Sequence, residues 1–232
     1  PRVCEVLPIG YEPDDLQAAL QAGRPNPSFE PGDGLTHVSY VGTLLPAGFE
    51  VLRVVFAALD LLRTRAPGSY TRLRLHFFGT SNQRDPNAPG RVQPEAVAAG
   101  VAGIVTEVPA RLDYLDALRA LTDSSAVLLM GSTEPHYTPS KVFAALLAGR
   151  PLVAVHHADS SVSDPLGEHP SAAAFTFRDG ATLQALAPVL ASAFERLVTG
   201  PVRPRVAIPA AFHPWAAPVL AARLASVLDR VA

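Results

Sequence analysis

The chain has 232 residues, 48 % apolar and 17 % charged, which provides for a buried core and excludes an intrinsically disordered polypeptide. A formal net charge of −2 argues against a nucleic-acid surface, because phosphate binding shows as an excess of Lys and Arg. The single cysteine, Cys4, excludes an internal disulfide and a cysteine-built zinc cluster.

Residues 1–9 read as an extended piece that begins abruptly, as at a cut domain boundary, and ends at the turn Ile9-Gly10-Tyr11. No apolar run there is long enough for a signal peptide or membrane span, and the lone cysteine fits a reducing cytoplasm, the expected location. Residues 10–34, rich in Pro, Gly, Asn and Asp, predict a linker with one short helix at 14–22. HVSYVG (37–42) predicts a strand ending at a glycine, and 49–65 an amphipathic helix with apolar residues three and four apart. RLRLHFFG (72–79) is the next strand, followed by a polar loop at 80–92 and a short helix at 94–100.

A strand at 103–108, a helix at 111–124 and the wholly apolar strand AVLLMG (126–131) come next. After the loop STEPHYTP, residues 140–149 predict a helix closed by Gly149. Strands are expected at 151–157 and 172–177, with a helix at 181–198. A Pro-rich crossing segment then leads to a last helix at about 215–231. This alternation predicts an α/β domain with a doubly wound parallel sheet of about six strands at 35–200. Residues 1–34 would be an interdomain linker, and 201–232 a crossing segment and terminal helix of the same domain. No internal repeat and no second core are evident.

In an open parallel sheet a ligand lies beyond the carboxyl ends of the strands. Three of those ends carry Gly followed by a small hydroxyl residue: Gly42-Thr43, Gly79-Thr80-Ser81 and Gly131-Ser132-Thr133. Any one is ordinary turn punctuation; together they suit an anion approaching backbone N–H groups. Lys141 is the only lysine of the chain and falls in the first turn of the 140–149 helix, where Ser140 is expected to cap. A cation there opposes the helix dipole unless an anion offsets it, so Lys141 reads as a diphosphate contact, the alternative being an idle surface lysine. His156-His157-x-Asp159 reads as loop polarity rather than a chelate, because neighbours on extended chain point to opposite sides. Asp113 and Asp116 read as first-turn acids of a helix.

The stretch HYTPSKVFAALLAGRP (136–151) resembles the C-terminal, donor-binding domain of retaining GT-B glycosyltransferases that make bacterial surface polysaccharides. The match rests on Pro139, Ser140, Lys141, Ala148, Gly149 and Pro151. VLPIGY (6–11) resembles that family's interdomain linker, SYVGTL (39–44) its first strand and Gly loop, LHFFG (75–79) its second strand, and RLDYLDALRAL (111–121) the helix before the donor loop.

The resemblance implies the donor half of an enzyme that transfers a sugar from a nucleoside diphosphate to an acceptor. The acceptor would be held by a missing N-terminal domain, and the half alone would be inactive. No cofactor or metal is implied, and the full-length protein would sit peripherally on a membrane. Gly42, Thr43, Ser140 and Lys141 would hold the diphosphate. Ser81, Arg84, Arg111, Tyr137 and Thr138 are candidate nucleotide or phosphate contacts, and His136 and Glu134 candidate sugar contacts. The two glutamates of the family's E-x7-E motif would fall at His136 and Ala144, so neither is present. The alternatives are a nucleotide-sugar epimerase of the same architecture and a non-catalytic binding module.

Overall fold

The structure, a computed structural model, describes residues 4–26, 28–167 and 169–230. The predicted apolar runs form six strands: β1 (Thr36–Val41), β2 (Leu73–Phe78), β3 (Val105–Val108), β4 (Ala126–Met130), β5 (Leu152–His157) and β6 (Ala172–Phe177). They make one parallel sheet in the order β3-β2-β1-β4-β5-β6. Every residue of β4 is buried, which explains its unbroken apolar sequence: a central parallel strand is covered on both faces. Edge strand β6 buries little beyond Phe177.

Helices connect the strands. In chain order they are α1 (Asp15–Gln21), α2 (Phe49–Arg65), α3 (Pro67–Arg72), α4 (Gln93–Ala98), α5 (Tyr114–Asp123), α6 (Val142–Leu147), α7 (Ser163–Gly167), α8 (Gly180–Gln184), α9 (Ala187–Thr199) and α10 (Ala217–Asp229). One face of the sheet packs α2 and α9 through Val51, Val55, Phe56, Leu59, Leu190 and Phe194. The other packs α5 and α6 through Leu118, Leu121, Phe143 and Leu146. The two hydrophobic clusters are thus the two faces of a doubly wound sheet, each buried large side chain contributing roughly 1.5–3 kcal/mol.

Several expectations need correction. The helix at 140–149 shortens to the six residues of α6, and Ser140 makes no capping bond. The helix at 181–198 is broken into α8 and α9, because Pro188 has no N–H to return to the preceding turn. The strand at 103–108 begins as a 3-10 turn at Ala102–Ile104, the strand expected from residue 72 yields Arg72 to the short helix α3, and α7 is a short helix in a stretch to which no element was assigned. The last helix closes at Asp229; residue 231 of the expected span lies outside the described residues, as do 1–3 of the expected extended piece.

The two ends of the described chain meet. Tyr11 donates its N–H to the Trp215 carbonyl at 3.0 Å and accepts from the Ala217 N–H at 2.8 Å. Gly10 packs so closely there that a side chain would overlap the Trp215 carbonyl. Helix α10 buries no residue and leaves Leu224 and Leu228 exposed.

Candidate functional site

The strand order reverses between β1 and β4, whose connections run to opposite faces of the sheet through α2 and α6. A crevice must open at their carboxyl ends. It does, as a cleft of about 740 Å³ bounded by the ends of β1 and β2, the start of α6 and the inward face of α5. Gly42, Thr43, Ser140 and Lys141 line it, and so do Arg84 and Arg111. Ala144, where the resemblance places the second motif glutamate, is also on its wall.

Lys141 defines the cleft floor. Its side chain lies across Gly42, and Nζ reaches the Thr43 carbonyl at 3.4 Å. Gly42 has φ +141°, a conformation open to glycine, and a methyl group there would overlap Lys141 Cδ and Cε. The close approach of a lysine stem therefore requires this glycine. Among the described residues Lys141 has no carboxylate partner, and burial pushes its ammonium below the usual lysine range. A half-buried cation with one long carbonyl contact has lost hydration without full replacement, and an anion in the cleft would restore it.

The backbone contribution is narrower than helix and glycine arguments suggest. The Val142 and Phe143 amides already bond to the Pro139 and Ser140 carbonyls at 3.0 and 3.4 Å. Those of Gly42 and Gly79 continue the sheet by bonding Phe78 and Val108 at 2.8 and 2.9 Å. The amides of Thr43, Ser140 and Lys141 have no partner among the described residues and remain the donors at the cleft.

Arg84 and Arg111 are exposed and add positive charge, against which Asp113 is the one carboxylate on the lining. Asp113 precedes α5 and stands 3.8 Å from Arg24. The α5 wall also presents Leu112, Tyr114, Leu118 and Leu121, giving the cleft a cationic end and an apolar side. Ile9 and Gly10 of the N-terminal segment complete it. Reading the α5 acids as helix starts missed this wall. The helical spacing of 114, 118 and 121 was visible, but which face met the cleft depended on packing. Asn82, at φ +58°, follows Gly79-Thr80-Ser81 at the end of β2 and also lines the cleft.

The remaining candidates lie elsewhere. Ser81 donates its hydroxyl to the Pro109 carbonyl at 2.8 Å and supports its own loop. The third Gly-hydroxyl loop does not join the cleft: Ser132 is buried, and the Thr133 amide bonds the Ala47 carbonyl at 3.2 Å. Glu134 and His136 are exposed outside the lining. Tyr137 and Thr138 are fastened to the loop after β5, the Tyr137 carbonyl accepting from Ser160 Oγ and Thr138 Oγ1 lying 2.6 Å from Ser161 Oγ. His156 Nδ1 and His157 Nε2 face the carbonyls of His157 and Arg178.

No protein-family model and no curated protein sequence matches the chain. Solved structures do match. A UDP-forming α,α-trehalose-phosphate synthase from Burkholderia xenovorans is similar over 96 % of this chain and 51 % of its own, at 19 % identity and a TM-score of 0.68. The α,α-trehalose 6-phosphate synthase of Burkholderia multivorans is similar over 99 % and 51 %, at 21 % identity and 0.68. WaaG, a glycosyltransferase involved in lipopolysaccharide biosynthesis, is similar over 84 % and 50 %, at 14 % identity and 0.53. The chain spans about half the length of each. What the likeness establishes is the fold: the chain has the architecture of one half of a GT-B glycosyltransferase, as its sequence resemblance implied.

Proposed function

We propose that this chain binds the nucleoside diphosphate of a sugar donor and forms the donor half of a glycosyltransferase whose other half holds the acceptor. The observation that carries this reading is the Lys141 ammonium, half-buried in the cleft across Gly42 and without a carboxylate partner among the described residues. A diphosphate leaving group gains negative charge in the transition state, and fixed cations and amides stabilise it where it develops. In this reading Lys141, Arg84 and Arg111 neutralise that charge and no metal is needed. The apolar α5 wall takes the nucleoside. Similarity to a UDP-forming synthase and to a lipopolysaccharide glycosyltransferase favours UDP as the first nucleotide to test, and surface polysaccharide or glycoconjugate synthesis as the setting; the location in this reading is the cytoplasm.

The test is a thermal-shift comparison of UDP, GDP, ADP and TDP. One nucleotide should raise the melting temperature by mass action, and Lys141→Ala should remove that shift while the unliganded protein stays folded. An unchanged shift in the variant refutes the assignment of Lys141. A non-catalytic nucleotide-binding module is the second reading, favoured by Ala144 standing on the cleft wall where the resemblance calls for a glutamate. It shares the binding result and differs in showing no donor hydrolysis or transfer in the full-length protein.

A further inference from the structure

Glu107, on β3, does not line the cleft, yet its carboxylate gathers four hydrogen bonds. Oε1 accepts from Thr80 Oγ1 and from the Arg91 amide at 2.8 Å; Oε2 accepts from the Val92 and Gln93 amides at 3.0 and 2.8 Å. The donors stand at the two ends of the 80–92 loop, so one side chain closes that loop at its base. The same bonds satisfy free amides at the start of α4, whose own N-cap residue, Val92, has no side-chain acceptor. Gly90 belongs to the clasp as well, since a methyl group there would stand 2.7 Å from Glu107 Oε2.

Between the clasped ends lie Asn82 and Arg84, both on the cleft lining. The Gln83 carbonyl between them accepts the Arg111 amide at 2.7 Å, tying this loop to the one that supplies the second arginine. Arg84 itself makes no ion pair among the described residues, so its place depends on the backbone that carries it.

We propose that Glu107 is a positioning residue for nucleoside diphosphate binding, which by clasping the 80–92 loop holds Arg84 at the cleft. The proposal rests on the reading of the cleft as a diphosphate seat. Glu107→Gln keeps the shape but turns one acceptor into a donor. On the Oε2 side the new NH2 faces two amides, and on the Oε1 side it faces the Arg91 amide and leaves Thr80 to reverse its bond.

The experiment is a double-mutant cycle read as the Kd for UDP, with wild type, Glu107→Gln, Arg84→Ala and the double variant. Glu107→Gln should weaken UDP binding about tenfold in the wild-type background and less than about twofold once Arg84 is gone, because its effect passes through Arg84. Thr80→Val removes one of the four bonds without altering the carboxylate and should show a smaller loss with the same dependence on Arg84. This covers the case in which Glu107→Gln fails to fold. Equal losses with and without Arg84, or none in either background, overturn the positioning role while leaving the donor-binding function standing. A wild-type protein that binds no nucleoside diphosphate overturns both.

Discussion

The body of the protein and the cleft treat charge differently. Outside the cleft, Arg53 is bidentate to Glu95 at 2.8 and 2.9 Å, Arg119 pairs Asp123 at 2.8 Å, and Arg178 pairs Asp159 at 2.7 Å. Where titratable side chains are buried, they are arranged to stay neutral or hydrogen-bonded. His37 and His76 lie 2.9 Å apart under Phe29, with Asp33 at one end of the row and Thr106 at the other. In the cleft, by contrast, Lys141 is half-buried and unmatched, and Arg84 and Arg111 face only Asp113. Positive charge without a carboxylate partner also occurs outside the cleft, where Arg150 donates to the Thr122 carbonyl at 2.6 Å beside Arg205; in the cleft it lines an open cavity of about 740 Å³, which is what a site awaiting an anion requires.

The contrast can be broken by adding charge where the protein keeps none, and this should give the largest effect. Burial, then the neighbouring His37 and Arg74, lower the His76 pKa from 6.5 to about 4, with Asp33 opposing. The unfolded chain therefore takes up this proton first. The contribution is fully present above pH 6.5 and is lost as pH falls toward 4, amounting to about 3 kcal/mol across that window. Denaturation midpoints between pH 7.5 and 4 should fall steeply in the wild type and less steeply in His76→Gln. Identical slopes would show that His76 is not held neutral.

Removing the unmatched charge comes next. Lys141→Ala should raise the Kd for the bound nucleotide by about 30-fold, roughly 2 kcal/mol for one charged hydrogen-bond donor. The free protein should lose little stability, because the Thr43 carbonyl that Lys141 leaves still accepts from the Tyr40 hydroxyl at 3.2 Å. Gly42→Ala sharpens the same point from the other side: the methyl group meets both a positive φ and the lysine stem, and should cost about 1–2 kcal/mol of stability as well as nucleotide affinity. A fully stable Gly42→Ala variant that binds normally would place Lys141 elsewhere. The smallest effect should come from the exposed matched pair, where Arg53→Ala changes stability by less than about 1 kcal/mol and leaves nucleotide binding untouched.

The sheet was readable because its signals are local. Runs such as AVLLM and LVAVHH, separated by amphipathic stretches, specify buried strands and covering helices whatever their partners. Helix lengths were less legible: Pro188 splits one, and the turn through Ser140 and Lys141 uses amides that a longer α6 would have left free. At the site, the chemistry of Lys141 and Gly42 could be named from the sequence, but their meeting could not. Of the residues singled out beforehand, Gly42, Thr43, Arg84, Arg111, Ser140 and Lys141 line the cleft, whereas Ser81 bonds within its own loop and Glu134, His136, Tyr137 and Thr138 sit on the loop bound to the residues after β5.

Residue order by itself determined the alternation of strands and helices, the positions of the turn glycines, and the presence of a single lysine beside a helix start. Each of these depends on interactions within a few residues. Only the folded chain decided that Lys141 crosses to a carbonyl 98 residues away, that α5 supplies an apolar wall, and that Glu107 clasps amides from a distant loop. Those contacts exist because the parallel sheet brings remote strand ends to one edge, where hydrogen-bond geometry and close packing, rather than local propensity, select the neighbours.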